Sequence, residues 1–93
     1  MEHLGTQLKD HLLSHGFSSV REVIVQKRPD WTGAESMFIW ILMDDSVTSK
    51  ELDWDVLEPM VVEARHWMRD TQPDLYPYVR VRRVREWAEV ATS

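Results

Sequence analysis

The sequence predicts an α+β fold with the element order α-β-β-α-β, in which two helices cover one face of an open three-stranded mixed sheet. A leucine repeat near the N-terminus, a pair of extended runs joined by a turn, and a long apolar stripe at helical period together predict this order. A chain of 93 residues has room for one hydrophobic core. We therefore expect residues 1–93 to form a single α+β domain.

The N-terminal segment predicts an amphipathic helix over about 2–15. Leu4, Leu8 and Leu12 recur at four-residue spacing, which places them on one side of a helix. Gly16 follows at the position where a glycine cap would end the helix. The leucine side of this helix is expected to pack on the sheet.

The segments 20–27 and 37–43 predict two antiparallel strands. The first is rich in β-branched residues, and the turn residues of 29–33 give a connection of hairpin length. The second run, MFIWILM, is apolar on both faces, and Phe38 and Trp40 share one of them. Such a strand lies in the middle of a covered sheet, or one of its faces is buried by another chain.

A second helix and a third strand complete the predicted fold. Thr48 and Glu51 have the spacing of a capping box, and an apolar stripe at helical period follows them, so the second helix is expected over about 49–70. Pro59 lies inside this helix and removes one backbone hydrogen bond, so a kink or short break is expected near 55–58. The run 76–87 then alternates as a strand, with a disruption where the adjacent Arg82 and Arg83 interrupt the alternation.

Composition excludes several classes of function. The chain lacks cysteine, which rules out disulfides, thiolate nucleophiles and thiolate metal sites. Its three glycines leave no phosphate-binding loop, dinucleotide fingerprint or nucleophile elbow, so an enzyme is not expected. No apolar run approaches the roughly 20 residues of a membrane span, and the N-terminus lacks the pattern of a secretory signal. We therefore expect a cytoplasmic protein that does not enter a membrane.

Two histidines have a spacing that suits metal binding. His11 and His15 stand at i and i+4, so a helix can present both to one ion. A helical projection also puts both on the Leu4 and Leu8 side of the helix near its last turn, where histidines pack at a core boundary and interact with the helix dipole. A metal would need a third ligand, and the sequence alone does not place His3, His66 or a carboxylate beside them. We expect neither a bound metal nor any other cofactor.

Four aromatic residues on one face of the predicted sheet indicate a protein interface. Phe38 and Trp40 alternate along the second strand, and Tyr76 and Tyr78 alternate along the third. The two helices leave their face uncovered, and monomers rarely expose such a patch. We expect a second copy, in a homodimer, or a small protein partner to cover it. In the competing account, the C-terminal segment around Trp87 folds back over this face.

The third strand also carries basic residues on an acidic chain. Arg80, Arg82, Arg83 and Arg85 fall in the acid-free window 76–85, whereas the rest of the chain has seven basic and sixteen acidic groups. Arginines beside tyrosines can bind phosphates while the rings stack on bases, so RNA or single-stranded nucleic-acid binding is the second hypothesis. The total charge of −5 argues against nucleic acid, and in the alternative these arginines pair with acidic groups of a protein partner.

Two resemblances bear on function. The segments 22–45, EVIVQKRPDWTGAESMFIWILMDD, and 76–87, YPYVRVRRVREW, resemble a group of small uncharacterised prokaryotic proteins whose neighbouring genes encode helical proteins of the HEPN type. That resemblance implies a non-enzymatic, partner-binding accessory in a gene pair of the toxin-antitoxin or defence kind. The element order resembles the type-II KH topology of RNA-binding proteins. The GxxG loop with which KH domains hold RNA is absent, so no RNA-contact residue is carried over.

Overall fold

Helices and strands follow one another along most of the chain. The structure is a computed structural model that describes residues 2–92, with the side chains of residues 3–88. The described residues form three α-helices, three β-strands and one short 3-10 turn. Their bounds are α1 Glu2–Ser14, β1 Val20–Pro29, β2 Glu35–Met43, the 3-10 turn Lys50–Leu52, α2 Trp54–Thr71, β3 Tyr76–Arg83 and α3 Val84–Thr92.

The three strands form one open sheet in the order β1-β2-β3. β1 and β2 pair antiparallel through the hairpin, with Val25 opposite Ile39, while β3 runs parallel to β2, with Val79 beside Ile39. The chain crosses between the parallel strands through α2, and both α1 and α2 pack on the same face of the sheet. The predicted α+β fold with an open mixed sheet is confirmed, and a third helix follows the last strand.

The hydrophobic core lies between this face of the sheet and the first two helices. The leucines of the four-residue repeat are buried, and the alternate residues Met37, Ile39 and Ile41 of β2 are fully buried beneath the helices. α1 approaches β1 closely at Gly5, where an added Cβ atom would overlap the carbonyl oxygen of Val23. The buried side chains of α2 are Met60, Val61, Ala64 and Met68.

The second helix begins later than predicted. The Thr48 hydroxyl accepts a hydrogen bond from the N–H of Glu51 at 3.3 Å and donates one to its carboxylate at 3.2 Å, so the capping pair forms on the 3-10 turn. Asp53 then adopts extended backbone, with φ −63° and ψ 144°, and α2 runs without interruption through Pro59. The chain therefore breaks at Asp53, before α2 begins. The break predicted at 55–58 does not form, since α2 is continuous across Pro59.

The chain leaves β3 at Arg83 and turns directly into α3. The Glu86 carboxylate accepts a hydrogen bond from the Arg83 N–H at 2.8 Å, and the Asp45 carboxylate accepts one from the Arg85 N–H at 3.0 Å. Both carboxylates satisfy donors that the start of a helix leaves without an internal partner. The prediction that residues 84–87 continue the third strand is therefore wrong. One of the two caps comes from a turn 40 residues earlier, which local alternation does not reveal.

Candidate protein-binding face

The face of the sheet opposite α1 and α2, called the second face here, carries the four aromatic residues that the sequence predicts for an interface. In the parallel pair, Phe38 lies beside Tyr78 and Trp40 lies beside Arg80. Tyr76 is two residues before Tyr78 on the same strand, so it points to the same side. The strand alternation thus brings all four residues to one surface.

An aromatic patch, consisting of Trp31, Phe38, Tyr76 and Tyr78, forms one end of this face. The ring of Tyr78 stacks on Phe38 with centroids 5.1 Å apart and lies 4.7 Å from Tyr76 and 5.3 Å from Trp31. Ring pairs at these distances are favourable contacts. Trp31 is nevertheless 78% exposed and Tyr76 is 54% exposed. Trp31 and Tyr76 are therefore exposed to solvent, while Tyr78, which both of them contact, is half-buried.

The other end of the second face is covered by α3. Trp87 packs on Trp40 with ring centroids 5.1 Å apart, and the guanidinium of Arg82 lies 5.8 Å from the centre of the Trp40 ring. Leu42, the next residue of β2 on this face, is only 3% exposed. The C-terminal segment thus folds back over Trp40, as the competing account expects, while the other three predicted residues lie at the open end. The indole N–H of Trp40 is buried without a hydrogen-bond partner among the described residues.

Asp30 connects the hairpin turn to the centre of the aromatic patch. Its carboxylate accepts hydrogen bonds from the Tyr78 hydroxyl at 3.0 Å, from the Ser36 hydroxyl at 3.2 Å, and from both the hydroxyl and the N–H of Thr32, at 2.6 and 2.8 Å. The bonds, that of the Thr32 hydroxyl first among them, lower the pKa of Asp30 to about 2. Burial and the bond to Asp30 raise the pKa of Tyr78. A charged acceptor therefore holds the Tyr78 ring in place.

Replacing Asp30 by asparagine is expected to reduce the loss of stability at acid pH. The pKa of Asp30 in the folded chain, about 2, lies below its ordinary value of 3.8, so the ionised carboxylate stabilises the fold at higher pH. This contribution declines as the pH falls from about 4 towards about 2. Urea unfolding followed by circular dichroism over this range measures it, with the exposed Asp74→Asn as the control. An unchanged pH dependence in Asp30→Asn would contradict this role.

The predicted basic residues divide between different environments. Arg83 points inward, since its Nε donates to a backbone carbonyl at 3.0 Å, its guanidinium lies 3.6 Å from Glu86, and its side chain is 14% exposed. Arg80 and Arg82 lie on the second face and donate to carbonyl oxygens of their own strand. Within residues 3–88, neither of them has a carboxylate within 4.0 Å. Arg85 lies apart from these, exposed on α3.

Arg28 and Trp31 extend the site beyond the residues predicted for it. The guanidinium of Arg28 lies 4.3 Å from the centre of the Phe38 ring, within the range of a cation–π contact. Arg28 continues the alternation of Ile24 and Gln26 along β1, so the strand period could have identified it. Trp31 lies in the turn, where no period applies, and its contact with β3 depends on the folded hairpin.

Comparison of the chain with protein-family models, curated proteins and solved structures gives no match. The class of the protein is therefore defined by its own fold and site. It is an α+β protein with an open three-stranded mixed sheet, and it carries an aromatic patch on the face that its first two helices leave open. None of the described helices is long and apolar enough to cross a membrane.

Proposed function

We propose that the protein is a non-enzymatic interaction module that associates with a second copy of itself through the aromatic patch. The observation that carries this proposal is the exposure of Trp31 and Tyr76, at 78% and 54%, in contact with the same Tyr78 ring. Soluble monomers rarely keep large aromatic side chains together in water. Such residues are instead enriched at the centres of protein interfaces, where they contribute most of the binding energy.

A second copy of the same chain is the simplest occupant of the patch. In a two-fold dimer the same residues serve on both chains, so one patch is sufficient for both halves of the interface. The patch carries both signs of charge beside its rings, since Arg28 contacts Phe38 and Asp30 contacts Tyr78. Opposite charges of the two copies can therefore pair around an apolar centre.

The helix α3 limits the size of this interface. Trp87 already covers Trp40, so the second copy has only the open end of the second face to bind. Small interfaces give transient complexes, because the loss of translational and rotational freedom offsets much of the contact energy. We expect a reversible dimer with a dissociation constant on the order of 10 µM.

Replacing both Trp31 and Tyr76 by serine is expected to abolish self-association, because it removes the two most exposed rings of the patch. Sedimentation equilibrium over roughly 5 to 200 µM should show a dimer for the wild type and a monomer for the double variant. Trp54→Ser is the matched control, since Trp54 is 56% exposed at the start of α2 and lies outside the patch. A wild type that stays monomeric throughout, or a dimer that only the control disrupts, would overturn the proposal.

Binding of single-stranded nucleic acid is the second candidate, favoured by the arginines near the patch. Arg80 and Arg82 have no carboxylate within 4.0 Å among residues 3–88, and Arg28 lies over Phe38. Exposed aromatic rings stack on bases, and arginines bind phosphates. The net charge of −5 weakens any such complex.

Fluorescence anisotropy with a labelled oligouridine of about 12 nucleotides tests this second candidate. Affinity that falls with added salt and is reduced in Arg80→Gln would favour nucleic-acid binding over self-association. No change in anisotropy at roughly 100 µM protein in low salt would exclude it.

A further inference from the structure

Two histidines of α1 and a glutamate of α2 converge on the helical side of the sheet. His11 and His15 lie one helical turn apart, and their ring centroids are separated by 4.2 Å. Glu63 reaches them from α2, with its Oε1 atom 2.7 Å from Nε2 of His11 and 3.4 Å from Nε2 of His15. One nitrogen or oxygen atom from each of the three side chains lies within 4.8 Å of the others. The carboxylate comes from 52 residues after His11, so it is a third ligand that the sequence alone does not place.

The hydrogen bonding of His15 leaves the nitrogen that faces Glu63 free to act as a ligand. Its Nδ1 lies 2.8 Å from the carbonyl oxygen of His11, so in the neutral ring Nδ1 carries the proton and donates it. Nε2 then has a lone pair, which faces the carboxylate across 3.4 Å without a hydrogen between them. A cation placed between these two acceptors would bind both. A backbone carbonyl that holds the second ring nitrogen is also the usual environment of a metal-bound histidine.

The charge and exposure of the three side chains also suit a cation. The Glu63 carboxylate accepts a hydrogen bond from Nε2 of His11 at 2.7 Å, and a carboxylate is a ligand that zinc binds together with histidine. The side chains of His11, His15 and Glu63 are 26%, 48% and 33% exposed. An ion can therefore enter from solvent, and one side of the site stays open for a further ligand.

We propose that His11, His15 and Glu63 bind a divalent transition-metal ion, with Zn²⁺ as the first candidate, and that the ion joins α1 to α2. Two imidazoles and one carboxylate form a ligand set that suits zinc, whereas calcium and magnesium prefer oxygen alone. Ligand atoms around a tetrahedral zinc ion lie roughly 3.3 Å apart. The 3.4 Å between Nε2 of His15 and Oε1 of Glu63 is close to this value, and the 2.7 Å contact between His11 and Glu63 has to open. Water takes the fourth position.

This inference is independent of the aromatic patch and of the proposed function, because the three ligands lie on α1 and α2. Zinc would take the place of the proton on Nε2 of His11, which would move through solvent to Nδ1 of the same ring, and the ion would link the helices by bonds to His11 and Glu63. Since an ion that binds only the folded chain stabilises it, the thermal midpoint should rise with zinc concentration.

Titration of the chelator-treated, full-length protein with zinc chloride tests the proposal by calorimetry and thermal unfolding. We expect one ion per chain and a rise in the thermal midpoint of roughly 5 °C or more at saturating zinc. Magnesium chloride should have neither effect. Glu63→Gln and His15→Gln should each weaken zinc binding at least about tenfold and remove the thermal shift. His3→Gln, which changes an exposed histidine of the same helix outside the site, should behave as the wild type.

The nitrogen resonances of the wild-type histidines give a readout that does not depend on any variant. Zinc should shift Nε2 of His11 and His15 and leave the ring of His3 unchanged. The proposal is overturned by the absence of binding at roughly 100 µM zinc. It is also overturned by binding that both variants retain or by shifts confined to other histidines, since the ion would then be held elsewhere.

Discussion

Replacing Ile39 by alanine is expected to lower the free energy of unfolding by about 2 to 5 kcal/mol. Ile39 is fully buried in the central strand, with Val25 on one side and Val79 on the other. The truncation removes apolar contacts and leaves a cavity, and a strand that is paired on both sides can move only a little to close it. Urea unfolding followed by circular dichroism at one fixed protein concentration measures the change.

Two further variants control for the loss of methyl groups. Val56→Ala shortens an aliphatic side chain that is 55% exposed, and it should change the stability by less than about 0.5 kcal/mol. Ile39→Val should fall between the two, at about 0.5 to 1.5 kcal/mol. Equal losses in Ile39→Ala and Val56→Ala would show that the core is not centred on β2.

Replacing Gly5 by alanine is expected to destabilise the protein by about 1 to 3 kcal/mol, although alanine is the better helix former. The added Cβ atom would overlap the carbonyl oxygen of Val23, and that oxygen belongs to the backbone of β1 and cannot rotate away. Either α1 or the strand must therefore shift, which opens the contact between the buried leucines and the sheet. Differential scanning calorimetry of the variant measures the loss.

Thr6→Ala provides the comparison for Gly5→Ala, because Thr6 is the next residue of α1 and is exposed. The better helix propensity of alanine should leave Thr6→Ala unchanged or slightly more stable. A Gly5→Ala protein that gains as much stability as Thr6→Ala would contradict the close approach of α1 to β1.

Local patterns were sufficient to predict most of the fold. The leucine repeat, the hairpin and the capping pair Thr48 and Glu51 each depend on residues a few positions apart, and the structure contains all three. Two features of the fold were predicted incorrectly, because they depend on a distant contact or on a competition between local preferences. The start of α3 is capped by Asp45, which lies 40 residues earlier in the chain. The break before α2 falls at Asp53, and the helix continues through Pro59 although proline is disfavoured in a helix interior. Alternation along residues 76–87 therefore predicted a strand that continues to residue 87, whereas β3 ends at Arg83.

For the candidate site, the sequence predicted only that four aromatic residues share one face of the sheet. Period-two alternation puts Phe38 and Trp40 on one side of β2 and Tyr76 and Tyr78 on one side of β3, and the register between the two strands brings both pairs to the same face. The second face is divided into an open end and a covered end because α3, which takes the place of the end of the predicted strand, packs Trp87 on Trp40. The bond between Asp30 and Tyr78 spans 48 residues, and the contact between His11 and Glu63 spans 52. Such pairs arise only when the strands and helices assemble.

Contact between two copies at the aromatic patch can be observed directly by isotope-filtered NOE spectroscopy. In a mixture of isotope-labelled and unlabelled chains, concentrated well above the dissociation constant, the filtered spectrum contains only contacts between different copies. We expect such contacts among the ring protons of Trp31, Tyr76 and Tyr78, because these residues form the open end of the second face. A sample that sediments as a dimer but gives filtered NOEs only from other surfaces, such as that around Trp54, would contradict association through the patch.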